Sequence, residues 1–191
     1  ATVDGKEGQI EPIMRFNNSD ESIRGLAGLF FFAGEQDESV KLFGQSNDFK
    51  DKTRTQAAYA EVTYSPVKTW DITVAGRVEK ENHERHGGSS LISVGVDKSE
   101  TVFLPKVDIA WKPTENFTTG FKVSKGYNPG GAGVTFDVPF VAYEYESEQV
   151  WNYELYNRIR TLDNKLEIFT NLFYNQYTDM QLPYYLSANS V

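Results

Sequence analysis

From Trp70 to Glu79 the chain alternates without a break. Trp70, Ile72, Val74, Gly76 and Val78 fall on one side, and Asp71, Thr73, Ala75, Arg77 and Glu79 on the other. Successive side chains of an extended strand point to opposite faces, so this period of two demands a strand with one apolar and one polar side. The pattern recurs. Val107, Ile109 and Trp111 oppose Lys106, Asp108 and Ala110; Trp151, Tyr153, Leu155 and Ile159 oppose Asn152, Glu154, Arg158 and Arg160; Leu166, Ile168, Thr170 and Leu172 oppose Glu167, Phe169, Asn171 and Phe173.

Strands are expected at about 9–17, 22–35, 54–65, 69–83, 101–113, 117–128, 148–161 and 164–178. The connections alternate in length. Asn17 to Glu21, Ser65 to Lys68, Pro113 to Asn116 and Leu162 to Asn164 are short and carry the Asn, Asp, Ser and Pro of tight turns. Gln36–Thr53, Glu84–Glu100 and Pro129–Ser147 are expected to be long loops. Short turns at one end and long loops at the other are the plan of an outer-membrane β-barrel. The strands also run to about 12–15 residues, where a soluble sandwich strand has about 5–6. Tyr64, Trp70, Trp111, Phe117 and Trp151 are read as an aromatic girdle beside the short turns.

Composition narrows the field. Aromatics make up 14% of the 191 residues, although mean hydropathy is only −0.50. The apolar residues are scattered singly, as two-faced strands require. The longest nearly apolar run, Gly25 to Gly34, is too short for a transmembrane helix. A net charge of −8 leaves no basic stripe for phosphates, so nucleic acid is not an expected partner. With no Cys, disulfides and thiolate metal sites are ruled out for these residues. No signal peptide opens the chain, so Ala1 follows a removed leader or lies inside a longer protein.

Three groups of segments resemble TonB-dependent outer-membrane receptors of the siderophore-receptor type. The first is Leu104 to Gly131, with its Pro-Lys strand and the run Ser124-Lys125-Gly126-Tyr127-Asn128-Pro129-Gly130-Gly131. The second is Glu148 to Gln181, with Trp151-Asn152-Tyr153-Glu154-Leu155, Asp163-Asn164-Lys165-Leu166 and the run from Phe173 to Gln181. The third joins Leu26 to Phe32, Tyr59 to Tyr64 and Ala75 to Glu79. The resemblance implies an all-β antiparallel up-and-down meander of about eight long strands, part of a 22-stranded transmembrane β-barrel. Residues 1–191 are then expected to be a partial barrel domain, without the plug, the TonB box and the final barrel strands. It further implies the outer membrane of a Gram-negative bacterium and uptake of a ferric siderophore or similar scarce ligand into the periplasm, energised by the TonB complex through the missing plug. Outer-membrane lipid is the surrounding partner, and neither a cofactor nor catalysis is implied.

The residues themselves offer no catalytic constellation. His83 and His86 with Glu81 and Glu84 have the residue types of a metal site, but no supporting groups around them can be named, and they read as a solvated polar loop. No metal is expected. Gly126 to Gly131 lacks the Lys and helix of a phosphate loop and reads as a strand-to-loop bend. Arg77, Lys106, Lys122, Arg158 and Arg160 are expected to pair across strands with Glu61, Asp71, Glu79, Asp108, Glu154 and Glu167. The candidate ligand-binding residues are the loop aromatics Phe136, Phe140, Tyr143 and Tyr145, which can stack on a ligand or pack against neighbouring loops. Two other readings stay open at this level: a soluble β-rich carbohydrate- or surface-binding module, and a self-sufficient small eight-stranded barrel.

Overall fold

The computed structural model describes residues 1–42, 44–89, 93–134, 142–163 and 165–182. The strands are β1 (Thr2–Ile10), β2 (Ile13–Asn17), β3 (Ile23–Leu42), β4 (Gln45–Val67), β5 (Trp70–Gly88), β6 (Ser93–Thr114), β7 (Phe117–Asn128), β8 (Gly131–Val134), β9 (Ala142–Tyr145), β10 (Glu148–Thr161) and β11 (Leu166–Thr178). Nine form one antiparallel sheet in the order β1-β3-β4-β5-β6-β7-β10-β11, with β2 also pairing β3; β8 and β9 form a separate hairpin. The expected eight-position meander is present, and among the described residues its two sides are open edges.

Three expectations about strand limits are corrected. Nearly all described residues of segments 36–53 and 84–100 are strand, not loop. β3 and β4 stay in register from Ile23↔Tyr64 to Leu42↔Gln45, and β5 and β6 from Trp70↔Trp111 to Gly88↔Ser93, so β4 reaches 23 residues. The apolar alternation fades there because the outward face is polar and the inward face mixes charged residues with Phe49, Val94 and Val96. Opposite charges meet across the strands instead, as in Lys6–Glu35 at 3.5 Å and Lys50–Asp37 at 3.9 Å. The expected strand at 9–17 is broken at Glu11–Pro12, where proline has no N–H for a ladder; its carbonyl still accepts from the Leu29 N–H at 3.1 Å. The third expected loop contains the β8–β9 hairpin.

The sheet is inside-out by the standards of a water-soluble domain. Among the described residues its buried apolar side chains are few: Phe49, Ala57, Val94, Val102 and Ala110. Thr55, Thr63 and Asp71 are buried beside them, while Val74, Val78, Phe103, Ile109, Phe121, Leu155 and Leu172 are exposed. The exposed residues share one face and line up across strands, as in Val74↔Val107, Ile109↔Phe121, Phe121↔Leu155 and Leu155↔Leu172. On β5 this band runs from Trp70 to Val78, on β6 from Trp111 to Phe103, and on β11 from Leu166 to Tyr174. Each stretch is about nine residues, the length of a tilted strand crossing a bilayer core. At the short-turn rim Trp70 and Trp111 lie 6.2 Å apart and Trp111 meets Phe117 edge-on at 6.3 Å, a girdle as expected. Trp151 does not belong to it. β10 starts at the long-loop end, and Trp151 pairs with Lys125 and Gln176 at the opposite rim.

The other face is polar and internally paired. Lys106 meets Glu61 at 2.5 Å and Lys122 meets Glu154 at 2.5 Å; Arg77 bonds Glu79, and Arg158 and Arg160 share Glu167. Asp71 gathers Arg24 at 2.7 Å, Ser65 at 2.6 Å and Lys112. Asp108 accepts from the Tyr156 hydroxyl at 2.9 Å. Tyr156 lies flat over Gly120, where a Cβ would sit 2.3 Å from its ring, so glycine there makes room for the tyrosine. This is the lining of a wet lumen rather than the core of a sandwich.

Candidate functional site at the long-loop end

The ladder between β6 and β7 ends at Lys106↔Ser124, next to Pro105, which has no N–H to extend it. Freed from β6, the end of β7 carries Tyr127 to a hydrogen bond with Glu79 at 3.0 Å. The β8–β9 hairpin then folds over the polar face of the β4–β6 extension. Ala132, like Val96, packs against the cluster of Phe49 and Val94, and the Lys98 ammonium donates to the Tyr145 carbonyl at 2.8 Å.

Within the hairpin, Gly131 pairs with Tyr145 and Gly133 with Tyr143. A Cβ at either glycine would come within 2.4–2.5 Å of the tyrosine hydroxyl, so the glycines let both rings cover the hairpin. The rings are 6.4 Å apart and tilted by 41°, and they stay 50% and 40% exposed. With Glu146, Asp179, Met180 and Leu182 they line an open concavity of about 620 Å³. Two of the four expected aromatics are thus brought together on one face; Phe136 and Phe140 lie outside the described residues.

Gln181 was not singled out from sequence as a site residue, yet it ties this end together. Its backbone N–H donates to Glu148 at 2.6 Å, and its side-chain NH₂ donates to the carbonyls of Pro129 and Glu146, both at 3.0 Å. Its side-chain oxygen accepts from Asn128 at 2.9 Å. One amide side chain therefore clamps the segment after β11 to both ends of the hairpin excursion. The signal in the sequence was the Asp179-Met180-Gln181 run that carried part of the resemblance.

Below the hairpin lies a cavity of about 290 Å³ lined by Glu81, His83, Lys98, Glu100 and Ser147 among others. Burial, helped by the charges of Glu79 and Glu100, pushes the Glu81 carboxyl above its ordinary range. Burial and Glu81 likewise push the Tyr127 phenol up. Arg85 bonds Asp51 and Glu38, each at 2.8 Å, and lies 5.0 Å over the Phe49 ring. Burial opposes its charge, but the two carboxylates outweigh that and raise its pKa.

The raised Glu81 pKa sets a sign. The folded protein holds the proton more tightly than the unfolded chain, so stability is full below the ordinary value of 4.5 and is lost as pH rises through the folded value. Glu81→Gln is expected to raise Tm at neutral pH and to leave it unchanged at about pH 4. Thermal melts at the two pH values check this, and a loss of stability at neutral pH contradicts it.

His83 and His86 do not converge. His83 faces Asp51 at 3.4 Å on the polar face, whereas His86 pairs with Asp97 at 2.9 Å on the outward face. Period two separates them, which corrects any reading of His83 and His86 as a joint chelate. Glu84, His86 and Asp97 do bring ligand atoms within 4.8 Å of one another, but the His86–Asp97 hydrogen bond already accounts for that arrangement.

Comparison with known proteins places the chain. Residues 13–191 match the family described as TonB dependent receptor-like, beta-barrel. The chain is 29% identical over 133 residues to the pesticin receptor of Yersinia pestis and 28% identical to that of Yersinia enterocolitica, covering 67% of this chain but only 19% of each receptor. Its fold superimposes with a TM-score of 0.69 on the ferric yersiniabactin uptake receptor of Yersinia pestis, at 20% identity, covering 94% of this chain and 30% of that one. The ferric-catecholate import receptor of E. coli K12 gives a TM-score of 0.73 at 14% identity, covering 91% of this chain and 31% of that one. The chain thus spans about a fifth of its curated relatives' length. The apolar outer band, the polar inner face and the matched family agree: the chain belongs to the β-barrel of the TonB-dependent receptors, which are outer-membrane proteins of Gram-negative bacteria.

Proposed function

We propose that these strands form part of the wall and outer mouth of a 22-stranded receptor barrel that takes up a ferric siderophore, with transport energised by TonB acting on a plug outside residues 1–191. The exposed Tyr143–Tyr145 pair on a clamped hairpin at the long-loop end carries this reading. Paired rings on a fixed backbone present a stacking surface at little ordering cost. The names of the relatives support it: pesticin receptors and uptake receptors for ferric yersiniabactin and ferric catecholates. The soluble-module reading fits poorly with a face of exposed Val, Ile, Leu and Phe. The eight-stranded-barrel reading fits poorly with a sheet whose β1 and β11 do not pair.

Binding of ferric yersiniabactin and of a ferric catecholate, followed by quenching of intrinsic fluorescence in the purified full protein, tests the proposal. Combined Tyr143→Ala and Tyr145→Ala replacement is expected to weaken binding of the recognised siderophore by about 10–100-fold. If wild-type protein binds neither compound, the siderophore reading fails. If it binds and the double variant binds equally well, the tyrosine site fails while the receptor reading stands.

A further inference from the structure

We propose that the Tyr143–Tyr145 mouth, read as a siderophore site, admits iron chelates without net negative charge and discriminates against polyanionic ones; this choice of ligand class rests on that reading. Pro129 to Ser147 and Asp179 to Val191 contain the carboxylates Asp137, Glu144, Glu146 and Asp179 but no Lys, Arg or His. The same two stretches carry the aromatics Phe136, Phe140, Tyr143, Tyr145, Tyr184 and Tyr185. The segments that Gln181 ties together are therefore aromatic and acidic, without one base between them.

The fold keeps this bias at the site. Glu146 and Asp179 line the concavity beside the two tyrosines, and among the described residues no Lys, Arg or His lines it. The Glu146 side chain is 86% exposed. Lys98 lines the cavity below instead, with His83, Glu81 and Glu100. There it bonds the Tyr145 carbonyl at 2.8 Å and stands 3.7 Å from the carboxylates of both Glu144 and Glu146. Gln181, also in the lining, has no donor to spare. Its backbone N–H goes to Glu148, and its side-chain NH₂ goes to the carbonyls of Pro129 and Glu146.

An anion entering this concavity gives up water and finds no cation in return, which is costly. The carboxylates repel it, and the faces of the tyrosine rings are themselves negative. An uncharged chelate avoids all three penalties and still meets the stacking surface. A cationic group on the chelate gains from the rings as well as from the carboxylates. The iron-binding groups decide which kind arrives. A hydroxamate loses one proton on binding Fe3+ and a catechol loses two, so a ferric trishydroxamate is uncharged and a ferric triscatecholate is a trianion.

The test measures equilibrium binding of these two chelates, each with radiolabelled iron, to the full protein at low and high salt. Wild-type protein is expected to bind the trishydroxamate about a hundredfold more tightly, the scale on which like-charge contacts reject a wrong partner. Raising salt from about 0.05 M to about 0.5 M screens the carboxylates and should strengthen triscatecholate binding. Glu146→Gln/Asp179→Asn should strengthen it about tenfold. Triscatecholate binding that equals or exceeds that of the trishydroxamate, that weakens with salt, or that gains nothing in the double variant overturns the charge selection while the receptor reading stands. Binding of neither chelate also overturns it, and whether ferric yersiniabactin then binds decides the siderophore reading separately. The wild-type comparison and the salt series do not depend on the variant folding.

Discussion

Val74→Arg is expected to destabilise the barrel by about 2–4 kcal/mol, the cost of a cation on the lipid face near the bilayer midplane. Val74 stands midway along the apolar stretch of β5, 55% exposed and flanked across the sheet by Val62 and Val107. In water its exposure would make the substitution almost free. In lipid the guanidinium loses its hydration and must snorkel past its neighbours. Thr101→Arg is on the same face but at the rim, opposite Lys80, and should cost only about 0–1 kcal/mol. Ala75→Ser, one residue along on the polar face, should stay within about 0.5 kcal/mol. Urea unfolding in lipid bilayers measures all three. Equal tolerance of arginine at positions 74 and 101 would remove the membrane from the explanation of the apolar band.

Gln181→Ala is expected to release the β8–β9 hairpin. The substitution deletes three side-chain hydrogen bonds, to Pro129, Glu146 and Asn128. It leaves two carbonyls to be satisfied by water, that of Pro129 part-buried and that of Glu146 exposed. At about 1 kcal/mol for each bond the local loss is about 2–3 kcal/mol, which corresponds to hydrogen exchange in β8 and β9 roughly a hundredfold faster. Global stability should change little, because the long ladders of β3 to β6 do not involve this residue. Gln181→Glu is a sharper version, since a carboxylate cannot donate to the two carbonyls and adds charge beside Glu146 and Glu148. Hydrogen exchange with peptide resolution reads the effect. Unchanged protection of the hairpin would mean that its packing on Phe49 and Val94 holds it without the clamp.

The transmembrane part of the fold was legible because the bilayer imposes one simple rule on it. Trp70 to Val78 alternates since one face meets lipid and the other a wet lumen, and the same contrast marks Leu166 to Leu172. Where the contrast disappears the signal goes with it. Asp37, Lys50 and Lys52 look like loop residues, yet they are paired strand. The break at Pro12 went unread, with a strand expected across 9–17, because the strand before it has no apolar face to announce it: β1 is exposed along its length. Trp151 was misplaced because the direction of β10, and not nearness to a strand end, decides which rim a residue occupies.

At the mouth, Tyr143 and Tyr145 were legible as loop aromatics, and the two-residue spacing brings them onto one face. Gln181 was not, because its partners at Pro129, Glu146 and Glu148 lie far away in sequence and meet it only through the strand order. The carboxylates of Glu79, Glu81 and Glu100 likewise gather from β5 and β6. The charge pairing of the inner face was readable, because alternation fixed which residues share the lumen and register did the rest.

Orientation in the membrane is the most direct test of the whole account. The 191 residues contain no cysteine, so single introduced thiols report position. Ser46→Cys lies near the outer end of the β3–β4 hairpin and Lys68→Cys in the short turn between β4 and β5. Intact cells producing each variant are treated with a membrane-impermeant maleimide, and labelling is compared before and after the outer membrane is broken. Labelling of Ser46→Cys on intact cells, with Lys68→Cys labelled only after breakage, is the predicted result. The reverse pattern, or both variants reacting only in a soluble fraction, would contradict the outer-membrane barrel and its long-loop mouth.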